Sequence, residues 1–205
     1  MVAKNAFVAA VNNGSDSALY MGKRLIKELE SESPKHPFLP RVYLSAGNFY
    51  IDRDRLPEAI SYYQKALDIA EQLNDSMYIA FANGSLGNVH VKSKKYNEAL
   101  VVFRTNLSIW KKKKVNDLIP VALTNIGRSL IEIGMLDHAL DTLKEGLLFS
   151  EQNNINTKKS DLAYYIAKVY LNKNNKHEAL RWAQKSKDEV LENDIYQQYK
   201  SSLLY

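Results

Sequence analysis

Apolar residues recur along this chain at helical spacing, three or four apart, in stretches separated by polar links rich in asparagine. Residues 1–13 carry Ala3, Ala6, Phe7, Ala10 and Val11 in that phase, and Gly14-Ser15-Asp16 supplies a stop and a fresh N-cap. A second helix, about 16–31, has Leu19, Leu25, Ile26 and Leu29 on one face, and Ser33-Pro34-Lys35-His36-Pro37 breaks it with two prolines. Residues 1–38 therefore read as an irregular N-terminal helical hairpin. From Leu39 the pattern becomes regular. A helix with Val42, Tyr43, Ala46, Phe49 and Tyr50 runs into the polar turn Asp52-Arg53-Asp54-Arg55, and Pro57 opens a partner helix, about 57–73, with Ala59, Ile60, Tyr63, Ala66, Leu67 and Ala70. The same plan returns three times up to residue 193, with links predicted at Asn74-Asp75, Asn116-Asp117, Asn153-Asn154 and Asn193-Asp194.

The repeat has a fixed step. Glu58-Ala59-Ile60 reappears forty residues on as Glu98-Ala99-Leu100, then as His138-Ala139-Leu140 and Glu178-Ala179-Leu180. Twelve residues before each alanine stands Gly47, Gly87, Gly127 or Ala167. Glycine inside a helix costs about 1 kcal/mol against alanine, so three at one phase must permit something in return. Close packing of the two helices of a pair, glycine ladder against alanine ladder, is the expectation.

These residues resemble the tetratricopeptide repeat. Its pattern has a large apolar residue and then a small one, a tyrosine three later, an alanine nine after that, an aromatic four further on, then another small residue. Repeat one matches as Ala46-Gly47, Tyr50, Ala59, Tyr63 and Ala66; repeat two as Leu86-Gly87, His90, Ala99 and Phe103, with Asn106 where a small residue is usual. The third gives Ile126-Gly127, Leu130, Ala139, Leu143 and Gly146, and the fourth Ile166-Ala167, Tyr170, Ala179, Ala183 and Ser186. The usual proline after the second helix is absent, and the step is forty residues instead of thirty-four. The resemblance implies an all-α, right-handed α-α superhelix, a solenoid of antiparallel helix pairs, with four repeats over 39–193. Long-step repeats of this kind look like those of bacterial sensor kinases and transcription regulators, of peptide-pheromone receptors, and of eukaryotic adaptors. Residues 194–205 read as a C-terminal helix with Ile195, Tyr199 and Leu203 on an apolar face. That face suggests a fifth repeat cut short, and hence an excised fragment of a longer protein; a terminal capping helix is the other reading.

The resemblance also implies which phases line the concave face, since in this family the first helix of each pair faces inward. One row is Leu44, Gly84, Thr124 and Tyr164; a second is Asn48, Asn88, Arg128 and Lys168; a third is Arg41, Phe81, Val121 and Asp161. In the second row, asparagine both donates and accepts and suits an extended peptide backbone, while Arg128 and Lys168 suit acidic side chains or a carboxylate. The bland alternative is that a water-facing helix is simply polar. Chaperone-tail binders of the family carry lysine at the Leu44 phase, so that variant is disfavoured.

Composition narrows the chemistry. The chain has 205 residues, no cysteine and a formal net charge of +5. Disulfides, thiolate metal sites and cysteine nucleophiles are thereby excluded, and the mild positive excess favours acidic partners without selecting one. His36, His90, His138 and His177 stand in separate elements without metal-ligand spacing, and no phosphate-cradling loop or nucleophile elbow is found. Lys111 to Lys114 sit at a helix end, where positive charge complements the dipole. The longest N-terminal apolar run, Phe7 to Val11, is too short for a signal peptide or a membrane span. The reading is a non-catalytic scaffold that binds protein or peptide, the sensory or assembly segment of a larger regulator, without cofactor or metal and with no membrane or nucleic-acid partner. Its alternatives are a peptide-pheromone-type receptor domain and a module that self-associates through the C-terminal helix. The compartment reads as cytoplasmic, or periplasmic if the chain is an excised fragment.

Overall fold

The computed structural model describes residues 16–202, with side chains over 19–190. The predicted helix 1–13, the side chains of Ile195 and Tyr199, and residue Leu203 lie outside that range. Among the described residues are nine α-helices and no strand, so the chain is all-α as its pattern predicts. It divides into two compact units, 1–94 and 95–205.

The first unit holds α1 (Asp16–Glu32), α2 (Leu39–Ile51), α3 (Leu56–Gln72) and α4 (Ser76–Lys92), with α2 packed on α3 and α4 packed on both. The second holds α5 (Tyr96–Lys113), a 3-10 turn (Asn116–Leu118), α6 (Ile119–Glu132), α7 (Leu136–Gln152), α8 (Lys159–Asn172) and α9 (Lys176–Ser202); here α8 packs on both α6 and α7. The turns between helices share one device. Left-handed backbone recurs every twenty residues, at Asp54, Asn74, Lys94, Lys114, Gly134, Asn154 and Asn174. After most of them the next N–H reaches back five residues: Asp75 donates to the Ala70 carbonyl, Met135 to Leu130 and Asn175 to Tyr170, each at 2.9 Å. This closure satisfies carbonyls that the helix end would leave bare and folds the chain back on itself. Asp75 then caps α4, accepting from the N–H groups of Met77 and Tyr78 at 3.0 and 3.2 Å.

Two expectations change. A link was predicted at Asn193-Asp194, but α9 is continuous from Lys176 to Ser202. Asparagine and aspartate are only mildly unfavourable within a helix, and no left-handed residue closes α9 there. The glycine ladder also has a different purpose. A Cβ on Gly47 would lie 2.3 Å from the Tyr63 ring, and one on Gly127 would lie 2.4 Å from Leu143 Cδ2. Gly47 and Gly127 seat the large side chain at the aromatic phase of the partner helix, and the alanine ladder is simply buried alongside.

The first unit's core is rich in tyrosine. Tyr43 donates a hydrogen bond to Glu30, and Tyr50 and Tyr62 stack at 5.4 Å. Burial pushes the phenols of Tyr43, Tyr62 and Tyr63 up, helped at Tyr43 by the Glu30 carboxylate and at Tyr62 by Tyr50. A phenol raised in the folded state contributes stability that is complete below the unfolded value of about 10 and is lost as pH rises above it. Unfolding free energy should therefore be flat to about pH 9.5 and then fall, by at most about 1.4 kcal/mol per pH unit for each such phenol. Urea titrations of the chain and of Tyr43→Phe/Tyr62→Phe check this: the variant should show the shallower fall, and identical slopes would refute the assignment.

Candidate functional site

On α2 the residues Arg41, Leu44 and Asn48 stand three and four apart and so share one stripe; Phe81, Gly84 and Asn88 do the same on α4. Arg41 is exposed and lies over the Phe38 ring at 5.6 Å. Leu44 is half-buried against the first unit's core, so it contributes packing more than contact surface. Asn48 is exposed; its Oδ1 accepts the Tyr63 hydroxyl at 2.8 Å, which fixes the amide and turns its N–H donors away from the core. Phe81 is 37% exposed, with its ring 6.1 Å from Tyr78, and Asn88 is half-buried.

In the second unit the same phases behave unequally. Thr124 is only 4% exposed and its hydroxyl donates to the Pro120 carbonyl at 2.7 Å, so its place in a ligand row is corrected: the back-bonded hydroxyl is buried in α6. Val121 and Arg128 are half-buried. Asp161 pairs with Lys158 at 2.5 Å. Lys168 is not a free cation, since its Nζ lies 2.9 Å from Glu132 Oε1, and that hydrogen bond holds its ammonium above the usual lysine range. The pair is partly exposed and therefore exchangeable. Tyr164 is 55% exposed, edge-on to Tyr165 at 5.1 Å.

One feature of the second unit takes in two residues of the predicted rows, Tyr164 and Lys168, and six that the rows do not contain. Tyr164, Ala167, Lys168 and Leu171 of α8 and Lys176, Ala179, Leu180 and Ala183 of α9 line an apolar cleft of about 450 Å³. Leu180 and Leu171 are 73% and 57% exposed there. The sequence held a signal for it. Ala183 occupies the phase of Tyr63, Phe103 and Leu143, so the large side chain that stands at this phase in each earlier repeat is replaced here by a small one.

The remaining candidates resolve into structural roles. Lys111 pairs with Glu145 at 3.1 Å, and Lys114 is the left-handed residue closing α5. His36 Nδ1 accepts the Phe38 N–H at 3.1 Å. Among the described residues no cluster of histidine and carboxylate is placed to hold a metal ion, and no helix is long and apolar enough to cross a membrane.

Comparison with known proteins agrees with this architecture. The tetratricopeptide repeat family profile matches residues 38–112. No curated protein matches the chain in sequence. Among solved structures, a Podosopora anserina protein of nearly identical TPR-like repeats superposes with a TM-score of 0.73 at 11% identity, over 94% of this chain and 95% of that one. A Rap protein complexed with Competence and Sporulation Factor gives 0.71 at 17% identity, over 88% of this chain and 51% of that one. A Pyrococcus horikoshii Signal Transduction ATPase with Numerous Domains, which has a tetratricopeptide repeat sensor, gives 0.71 at 16% identity, over 89% and 29%. The repeats of this chain are tetratricopeptide-like in fold.

Proposed function

We propose, from the tetratricopeptide-like repeats this chain carries, that it is a non-catalytic scaffold binding protein or peptide, and that it forms the sensory or assembly segment of a larger regulator. The observation that carries this is the stripe on α4. An exposed aromatic ring, Phe81, and an amide, Asn88, flank Gly84, and that combination offers an apolar contact beside a backbone-like donor and acceptor with little side chain between them. The α2 stripe supplies the fixed amide of Asn48 within the same unit. The Rap complex and the tetratricopeptide repeat sensor of the Pyrococcus protein support a ligand-sensing use of the fold.

A random peptide display on the immobilised chain tests the reading. Selected peptides should lose at least about tenfold in affinity, roughly 1.4 kcal/mol or more, when Phe81→Ala or Asn88→Ala is introduced, with Lys112→Ala as a neutral comparison. Peptides that bind all three variants equally would remove the stripe from the site.

A further inference from the structure

The cleft between α8 and α9 repeats, forty residues on, a seat that is already filled once in the same unit. On the pair α6 and α7 that seat is made by Thr124, Gly127, Ile131, Ala139 and Leu143, all buried. The helix packed on both α6 and α7 is α8, which carries Leu162, Ile166 and Val169, all buried, at positions i, i+4 and i+7. Leu162 packs closely on α7 beside that seat, because a Cβ on Gly146 would come within 2.9 Å of its Cδ2. The first unit shows the same relation, with α4 packed on α2 and α3. Advancing the seat by one repeat gives Tyr164, Ala167, Leu171, Ala179 and Ala183, five of the eight residues that line the cleft.

We propose that this cleft receives an amphipathic α-helix of a partner protein, docked as α8 is docked on α6 and α7, with apolar residues at i, i+4 and i+7 and acidic residues on its flanks. A helix is the occupant because the surface continues an interface that a helix makes one repeat earlier. Exposed leucines in a contiguous apolar depression mark an interaction surface. The middle apolar residue should be bulky. Gly127 faces Leu143, and Gly47 faces Tyr63, whereas Ala167 and Ala183 leave both sides small, so the room taken elsewhere by an internal side chain is open to a phenylalanine, tryptophan or leucine from outside. The flanks should be acidic because Lys176 lines the cleft and Lys168 beside it can exchange its partly exposed pair with Glu132 for a partner's carboxylate.

The test uses the full chain and a fluorescent helical peptide of about sixteen residues, alanine-rich, with leucine, phenylalanine and leucine at the three apolar positions and glutamate flanks. Saturable binding is expected by anisotropy. Ala183→Phe, at an exposed position and so compatible with folding, should fill the space and weaken binding at least about tenfold. Lys176→Glu should weaken the glutamate-flanked peptide and favour a lysine-flanked one. Asn88→Ala should leave this binding unchanged while lowering affinity for display-selected peptides, which separates the cleft from the α4 stripe. Absence of binding to the unmodified chain, or equal binding by Ala183→Phe with an unchanged helical spectrum, overturns the proposal. A dimer in light scattering that Ala183→Phe dissociates also overturns it, since the occupant would then be a second copy.

Discussion

Tyr63→Ala is expected to cost about 3–5 kcal/mol, the range for removing a large buried aromatic side chain from a core that relaxes only in part. Tyr63 is almost fully buried and its ring lies in the space that Gly47 leaves by having no Cβ, so truncation opens a void bounded on one side by helix backbone. Nothing nearby can refill it cheaply, because the opposing residue is already the smallest one available. The hydroxyl adds a separate contribution through its 2.8 Å hydrogen bond to Asn48. Tyr63→Phe isolates that contribution and should cost only about 1 kcal/mol. Urea unfolding followed by circular dichroism checks both. If Tyr63→Ala loses no more than Tyr63→Phe, the ring does not occupy the glycine seat.

The same pair shows what the pattern of residues could and could not convey. Period 3.6 within stretches located two helices to within a residue: the helix expected over about 16–31 is Asp16–Glu32 and the one over about 57–73 is Leu56–Gln72, whereas α9 runs on past the link expected at Asn193-Asp194. Turn closure was less legible. Asn74 and Asn154 tolerate left-handed backbone and could be anticipated, but Lys94 and Lys114 carry no such preference and adopt it nevertheless. The role of the glycines was half visible: their spacing announced close approach, but whether the approaching group was an alanine backbone or the Tyr63 ring depends on which way each helix is rotated.

For the candidate site the losses are of another kind. Burial of Thr124 follows from α8 lying over α6, and pairing of Lys168 with Glu132 joins residues thirty-six apart on adjacent first helices. Neither is a local property. The cleft is not legible in the residues that recur, because Ala183 matters for the tyrosine, phenylalanine or leucine that it replaces. Leu171 and Leu180 look like any apolar residues of an amphipathic helix until they prove to be exposed among the described residues.

Gly127→Val carries the second large effect, and its size should depend on what stands opposite. The added Cβ would lie 2.4 and 2.5 Å from two carbons of Leu143, a side chain with no exposure and no route to solvent. Overpacking of this kind costs about 1–3 kcal/mol, offset by only a few tenths from the better helix propensity of valine. Ala167→Val places the same side chain at the same repeat phase opposite Ala183, where the cleft has room, and should cost less than about 1 kcal/mol. Leu143→Ala alone should cost about 2–5 kcal/mol, yet in the Gly127→Val background part of the new void is filled from the opposite helix. The double variant should therefore be more stable than the sum of the singles predicts, by about 1–3 kcal/mol, in a double-mutant cycle measured by urea unfolding. Strict additivity, or equal losses from Gly127→Val and Ala167→Val, would mean that the small residue and the large one do not form a seat and its occupant; that result would also remove the physical basis for reading the gap opposite Ala167 as a place for a partner's side chain.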